Sequence, residues 1–202
     1  ASISRLPYVR SYTPADVSSS SVPASSIVTY RFNPSKLNDS KVKFTWMDGG
    51  LRPSQPDQIK EDIGVGGILI YGEKGIISCN DYGTRAKLYI DGEVVETGQF
   101  DGIPSNSFNH YTSWVEAMVD GYGSDKHKNL NSGFDVAGPI SEVVLLGNVA
   151  VRSGLLKRSP RSNVFIGRKR LDYDSKNMVI TNFDQANQFL TREYRKGWEL
   201  NI

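Results

Sequence analysis

Ile27-Val28-Thr29-Tyr30-Arg31-Phe32, a polar stretch over 33–40, and Val42-Lys43-Phe44-Thr45-Trp46-Met47 together set the architecture. Both runs are rich in β-branched and aromatic residues. In the second, Val42, Phe44 and Trp46 fall on one side and Lys43 and Thr45 on the other, the two-residue period of a strand. The Pro, Asn, Asp and Ser between the runs supply a turn, so the pair predicts a hairpin. The pattern continues outward. Gly67-Ile68-Leu69-Ile70-Tyr71 and Gly75-Ile76-Ile77-Ser78 surround the tight turn Gly72-Glu73-Lys74-Gly75. Lys87-Leu88-Tyr89-Ile90 and Glu93-Val94-Val95 flank Asp91-Gly92, a dipeptide suited to a hairpin turn with positive φ at both positions. At least six short strands are predicted over 27–96, joined by hairpins.

Beyond this region the period changes. Tyr111, Trp114, Val115, Met118 and Val119 recur at helical spacing and predict an amphipathic helix with an aromatic core stripe, capped by Ser107 or Asn109. Pro139 reads as the start of a second helix, preceded by Asp135 as a cap or an anion-facing carboxylate. From Ile140 to Arg152 that helix is apolar almost all round, which predicts burial, and Gly154 ends it. Gly147 in its interior costs about 1 kcal/mol of helix propensity, so close packing there is expected. A third helix is predicted over 184–196, with Asp184 as N-cap, Ala186, Phe189, Leu190 and Tyr194 as its stripe, and Gly197 at C′. Strands first and helices after is an α+β pattern: an open, mostly antiparallel (mixed) β-sheet with helices packed on one face.

The 202 residues suit one domain with a sizeable core. Residues 1–20 read as an N-terminal lead-in, 21–202 as the α+β domain, 18–26 as a Ser-rich loop and 155–170 as a basic loop insertion. That insertion holds Lys157, Arg158, Arg161, Arg168, Lys169 and Arg170 and no acid. It is either a solvated loop or a patch for phosphate, nucleic acid or an acidic partner. Its single aromatic, Phe165, falls short of what single-strand binding wants. The net charge of +2 gives no global reason to expect nucleic acid. The longest apolar run, 143–151, is interrupted by Gly147 and Asn148 and is far shorter than the ~20 residues of a membrane span. The lone Cys79 excludes an internal disulfide and reads as a small buried hydrophobe. Trp114, Trp198 and the tyrosines read as core.

Familiar chemical motifs are missing. Gly64-Val65-Gly66-Gly67 precedes a strand, whereas a dinucleotide fingerprint follows one and opens a helix. Neither His110 nor His127 has a second ligand at metal spacing. No nucleophile-elbow motif supports a Ser-His-Asp triad, although triad members converge only in space. Trp46 and Asp48 on Trp46-Met47-Asp48-Gly49-Gly50 read as a strand-ending turn, or as a pocket rim where an indole stacks on a sugar and a carboxylate accepts its hydroxyls. His110 reads as a capping or surface histidine, or as a substrate partner at a helix N-terminus.

Three segments carry a resemblance: Trp46-Met47-Asp48-Gly49-Gly50-Leu51-Arg52-Pro53; the run from Gly133-Phe134-Asp135 through Gly138-Pro139 to Asn148-Val149-Ala150; and the run from Asn177-Met178-Val179 through Ala186-Asn187 to Tyr194-Arg195-Lys196-Gly197-Trp198. In this order they resemble the C-terminal domain of the bacterial Gfo/Idh/MocA oxidoreductases, over roughly 20–202. The resemblance implies the substrate-side and oligomerisation domain of an NAD(P)-dependent sugar or polyol oxidoreductase, from bacterial cytoplasm or periplasm. It implies that NAD or NADP binds an upstream Rossmann domain, that this chain alone holds no cofactor or metal and is inactive, and that it forms homo-oligomers through an open sheet face, without nucleic acid or membrane. No catalytic residue carries over. Glu73-Lys74-Gly75 has Gly where the family's catalytic E-K-P motif has Pro, and no counterpart to the family's D-x-x-x-H motif occurs over 1–20. The substrate side carries over to Trp46, Asp48, Asn109, His110, Trp114, Phe134 and Asp135. The alternatives are an NAD-dependent glycoside hydrolase domain, as in relatives that cleave glycosides by transient oxidation, and a non-catalytic dimerisation module.

Overall fold

A computed structural model describes residues 2–4, 23–36, 38–95 and 109–199. The candidate cap Ser107 and nearly all of the 1–20 lead-in lie outside the described residues, as does part of the Ser-rich 18–26 loop. The fold is α+β with open, wholly antiparallel sheets. The strands form two separate sheets, and the chain divides into two compact units, Ala1–Leu51 with Gly138–Ile202, and Arg52–Ala137.

The first unit holds a five-stranded sheet. β1 (Ser2–Ser4), β2 (Ile27–Phe32) and β3 (Val42–Met47) are joined by β8 (Leu171–Asp174) and β9 (Val179–Ile180) in the order β3-β2-β1-β8-β9. The intervening strands β4 to β7, at 68–71, 76–79, 87–90 and 93–95, belong to the second unit. The predicted 27–47 hairpin forms in register, with Val28 opposite Trp46, Tyr30 opposite Phe44 and Phe32 opposite Val42. The Tyr30 ring stacks on Phe44 and Phe32, with centroids 5.4 and 6.2 Å apart. On this face α3 (Phe134–Ser153) supplies Leu146, Val149, Ala150 and Val151 to a core with Val28, Tyr30, Leu171, Tyr173, Ile180, Phe183 and Ala186. Burying each large side chain contributes about 1.5–3 kcal/mol. Alternation places Arg31, Lys43, Thr45, Asp172 and Asp174 on the opposite face together with Ile27, Thr29, Met47 and Val179, so that face mixes polar and apolar side chains, and Thr29 on it is buried.

α3 departs from the sequence expectation at its start and in its burial. It begins at Phe134, with Pro139 inside it and Asp135 in its first turn instead of at the cap. An acid there still favours the helix dipole. Six of its last eight residues are buried, yet Ile140, Val144 and Leu145 are exposed, so the helix is two-faced. At 20 residues, α3 is long and apolar enough by length and composition to cross a membrane, unlike the nine-residue run read from sequence. In this structure its C-terminal half is the core helix of the first unit. Gly147 fits the expectation of close packing, since a Cβ there would overlap the Tyr30 hydroxyl.

The predicted third helix is a 3₁₀ helix, Asp184–Phe189, with no side-chain cap, so Asp184 is not its N-cap. The Asn187 amide bonds both backbone groups of Ile180, at 2.7 and 3.1 Å, and ties this turn to β9. Ala186, Phe189 and Leu190 still pack on the core, but Tyr194 and Trp198 are exposed, and Gly197 sits in a separate turn with positive φ.

The second unit carries the sheet β4-β5-β6-β7, from β4 (Ile68–Tyr71), β5 (Ile76–Cys79), β6 (Lys87–Ile90) and β7 (Glu93–Val95). Asp91 and Gly92 turn β6 into β7 with φ of 51° and 81°, as the dipeptide predicts. Ile59, Ile76 and Tyr89 form its core, with Ile63 and Leu69 against them. Cys79 is half-buried, not fully buried. α1 (His110–Asp120) and α2 (Asp125–Lys128) follow. The α1 stripe expected to be core is exposed: Trp114, Val115 and Met118 are 53–62% accessible, and Tyr111 and Val119 more so. Only Ala117 of α1 is buried.

Candidate functional site

Among the sequence-derived site residues one pair is bonded together, and three others share the start of α1. Trp46 and Asp48, at the end of β3 in the first unit, are bonded to one another. The Asp48 carboxylate accepts the Ser26 backbone N–H at 2.5 Å and the Ser26 hydroxyl at 2.9 Å. It also accepts the Trp46 indole N–H at 3.3 Å. Its own N–H donates to the Ser26 carbonyl, and Gly49 and Gly50 follow with φ of 62° and 83°. The first duty of Asp48 is therefore structural: it closes the end of the β2–β3 hairpin. It also fixes the indole, whose surface remains 54% accessible. The result is an aromatic platform beside a carboxylate with one lone-pair direction to spare.

The second group lies in the second unit, on α1. Asn109 is the N-cap, its side chain accepting from the Tyr111 and Thr112 N–H groups, both at 3.1 Å. That duty occupies its carbonyl oxygen. His110 and Trp114 stand four residues apart, on one face of the helix, and both are exposed. Phe134 and Asp135 occupy the first turn of α3, both exposed. His127 has a structural role: its Nδ1 accepts the Gly123 N–H at 3.3 Å and its ring lies 4.6 Å from that of Tyr122. No group of three or more potential metal ligands occurs among the described residues. Gly64-Val65-Gly66-Gly67 leads into β4 instead of following a strand and opening a helix, so this glycine run lacks the geometry of a dinucleotide fingerprint.

Two buried-edge networks escape a reading of sequence because their members lie 26 to 31 residues apart. Glu61 accepts from the Lys87 ammonium at 2.8 and 2.9 Å and from the Tyr89 hydroxyl. The Lys87 and Tyr89 hydrogen bonds hold the Glu61 carboxyl below its ordinary range, and burial with the Glu61 bond pushes Tyr89 up to about 12. In the first unit the Tyr173 hydroxyl donates to Glu142 on α3 at 2.5 Å, and burial followed by that bond raises Tyr173. Both networks tie a strand to a neighbouring segment and read as structural.

No family model and no curated protein matches the chain.

Proposed function

We propose that this chain is the substrate-side and oligomerisation domain of an NAD(P)-dependent sugar or polyol oxidoreductase. The observation that carries the reading is the ordered resemblance of 46–53, 133–150 and 177–198 to the Gfo/Idh/MocA oxidoreductases. The open, antiparallel α+β fold supports it, and so does the Trp46–Asp48 platform. An indole face held by its own N–H bond offers an apolar surface to the C–H face of a sugar ring, and the carboxylate beside it accepts a hydroxyl. His110 and Trp114 repeat the pairing of a polar group with an aromatic on α1. The protein's contribution on this side is to bind and orient the substrate. In this reading the dinucleotide belongs to a separate domain, in keeping with a Gly64–Gly67 run that leads into a strand and opens no helix.

A second copy would dock on the sheet face that carries Arg31, Lys43 and Asp172, where these side chains make part of the contact polar. The upstream reading frame tests the assignment. A Rossmann sequence with G-x-G-x-x-G joined to Ala1 is the expected result, and a start codon there points instead to a non-catalytic module. Calorimetry of the 202-residue chain should show no saturable binding of NAD or NADP; saturable binding overturns the division of labour.

A further inference from the structure

We propose that the basic ribbon over 156–166, with Arg168 and Lys169 following it, is a docking surface for a short acidic protein segment rich in Asp and Glu. The 155–170 insertion is an ordered two-stranded excursion. The Ile166 N–H donates to the Leu156 carbonyl and the Arg158 N–H to the Val164 carbonyl, both at 2.9 Å; Lys157 pairs with Phe165, and the Ser162 N–H closes the tip on the Ser159 carbonyl. Of the six cations, Arg170 pairs with Asp172 at 2.9 Å. Arg158, Arg161, Arg168 and Lys169 are exposed, and none has a carboxylate within ion-pair distance among the described residues.

Three of these heads are placed by aromatic rings. The Arg168 guanidinium lies 3.8 Å over the Phe165 ring, Lys157 lies 5.5 Å from the same ring, and Lys169 lies 4.4 Å over Phe183. A guanidinium stacked by its face keeps its N–H edge for a bidentate carboxylate, and a head already placed loses less freedom on binding.

The net charge of +2 hides the strength of this surface. The unit that bears the ribbon carries 17 Lys+Arg against 9 Asp+Glu, a net +8, while the other unit carries 7 against 13, a net −6. Three anionic partners could in principle meet such a ribbon, and its details favour one. Single-stranded nucleic acid needs free ring faces for its bases, and the one ring of the ribbon is engaged by cations. A long polyanion that runs beyond the insertion meets the rest of this unit, where 11 Lys+Arg stand against 9 Asp+Glu and give it no continuing basic track. An anionic membrane would be met by the tip Ser159-Pro160-Arg161-Ser162-Asn163, which offers no large apolar side chain to enter the headgroups. A short carboxylate-bearing segment matches the charge, the reach and the guanidinium geometry.

The test is fluorescence anisotropy of a short labelled Asp/Glu peptide with the whole chain, against its Asn/Gln counterpart. Binding of the acidic peptide alone is expected, weakening by about tenfold or more between about 0.1 and 1 M salt, as the Debye length falls from about 10 to about 3 Å. Arg158→Glu with Arg161→Glu should weaken it by at least about tenfold while the unfolding transition stays put. If that variant does not fold, Arg158→Gln with Arg161→Gln decides in its place. Lack of binding at low salt, unchanged affinity in the folded variant, or tighter binding of a short DNA duplex or of phosphatidylserine vesicles overturns the proposal.

Discussion

Gly147→Ala should destabilise the first unit, and the same substitution should stabilise it once Tyr30 is Phe. Gly147 is buried in α3, and a Cβ there would overlap the Tyr30 hydroxyl oxygen, while the next nearest atom, Tyr30 Cζ, would sit 3.7 Å away in ordinary contact. The ring has little room to retreat, being stacked on Phe44 at 5.4 Å and flanked by Phe32 at 6.2 Å. Alanine returns about 1 kcal/mol of helix propensity. Overpacking costs about 1–3 kcal/mol. The single variant therefore loses about 0–2 kcal/mol. With Tyr30→Phe the overlap disappears and the propensity gain of about 1 kcal/mol remains. A double-mutant cycle should show a favourable coupling of about 1–3 kcal/mol. Urea denaturation of the four proteins, followed by far-ultraviolet circular dichroism, measures it. If Gly147→Ala has the same effect in both backgrounds, Tyr30 is not the reason for the glycine, and the packing argument for α3 on β2 fails with it.

Asp48→Ala should cost about 1–3 kcal/mol, because it strands the Ser26 N–H and frees the indole, and the Trp46 contribution to fluorescence should change; unaltered emission would contradict the platform. Tyr173→Phe should cost about 1.5–3 kcal/mol in thermal unfolding by removing the bond to Glu142. The second unit should lose stability in alkali. Tyr89 is raised from 10.0 to about 12, so its contribution is fully present below pH 10 and disappears as pH rises through about 12. Glu61 has the opposite sign: its carboxyl is lowered, so its contribution is present above its unfolded pKa and is lost on acidification through the folded one. Denaturation midpoints against pH check both, and Tyr89→Phe should flatten the alkaline limb.

Local pattern was enough for the hairpins. The 27–47 pair and the Asp91-Gly92 turn depend on side chains and backbone angles within a few residues of one another. The same holds for Asn109 as the α1 cap. Leu171-Asp172-Tyr173-Asp174 does alternate, but four residues beside a basic insertion give too short a signal to compete with the strong helical pattern ahead of it. Ser2-Ile3-Ser4 has no strand signature at all, yet β1 lies between β2 and β8 because two distant strands offer their edges to it. In the candidate site, Trp46 and Asp48 were legible as residue types on a turn. Their bonds to one another and to Ser26 were not, since Ser26 lies 22 positions away in the chain.

Period, turn chemistry and charge thus determined the α+β class, the antiparallel pairing of neighbouring strands, the helix positions around 110 and 140, and the basic stretch over 155–170. All of these arise from interactions between near neighbours. Tertiary structure decided which apolar stripes are covered. It buried one face of α3 and left the stripe of α1 open. It shortened the segment after Asp184 to a 3₁₀ turn by binding Asn187 to β9, and it used the Asp48 carboxylate to close a hairpin. Amphipathic spacing shows that a face is apolar. Whether water or another element meets that face depends on contacts between residues far apart in the chain, and local pattern carries no record of those contacts.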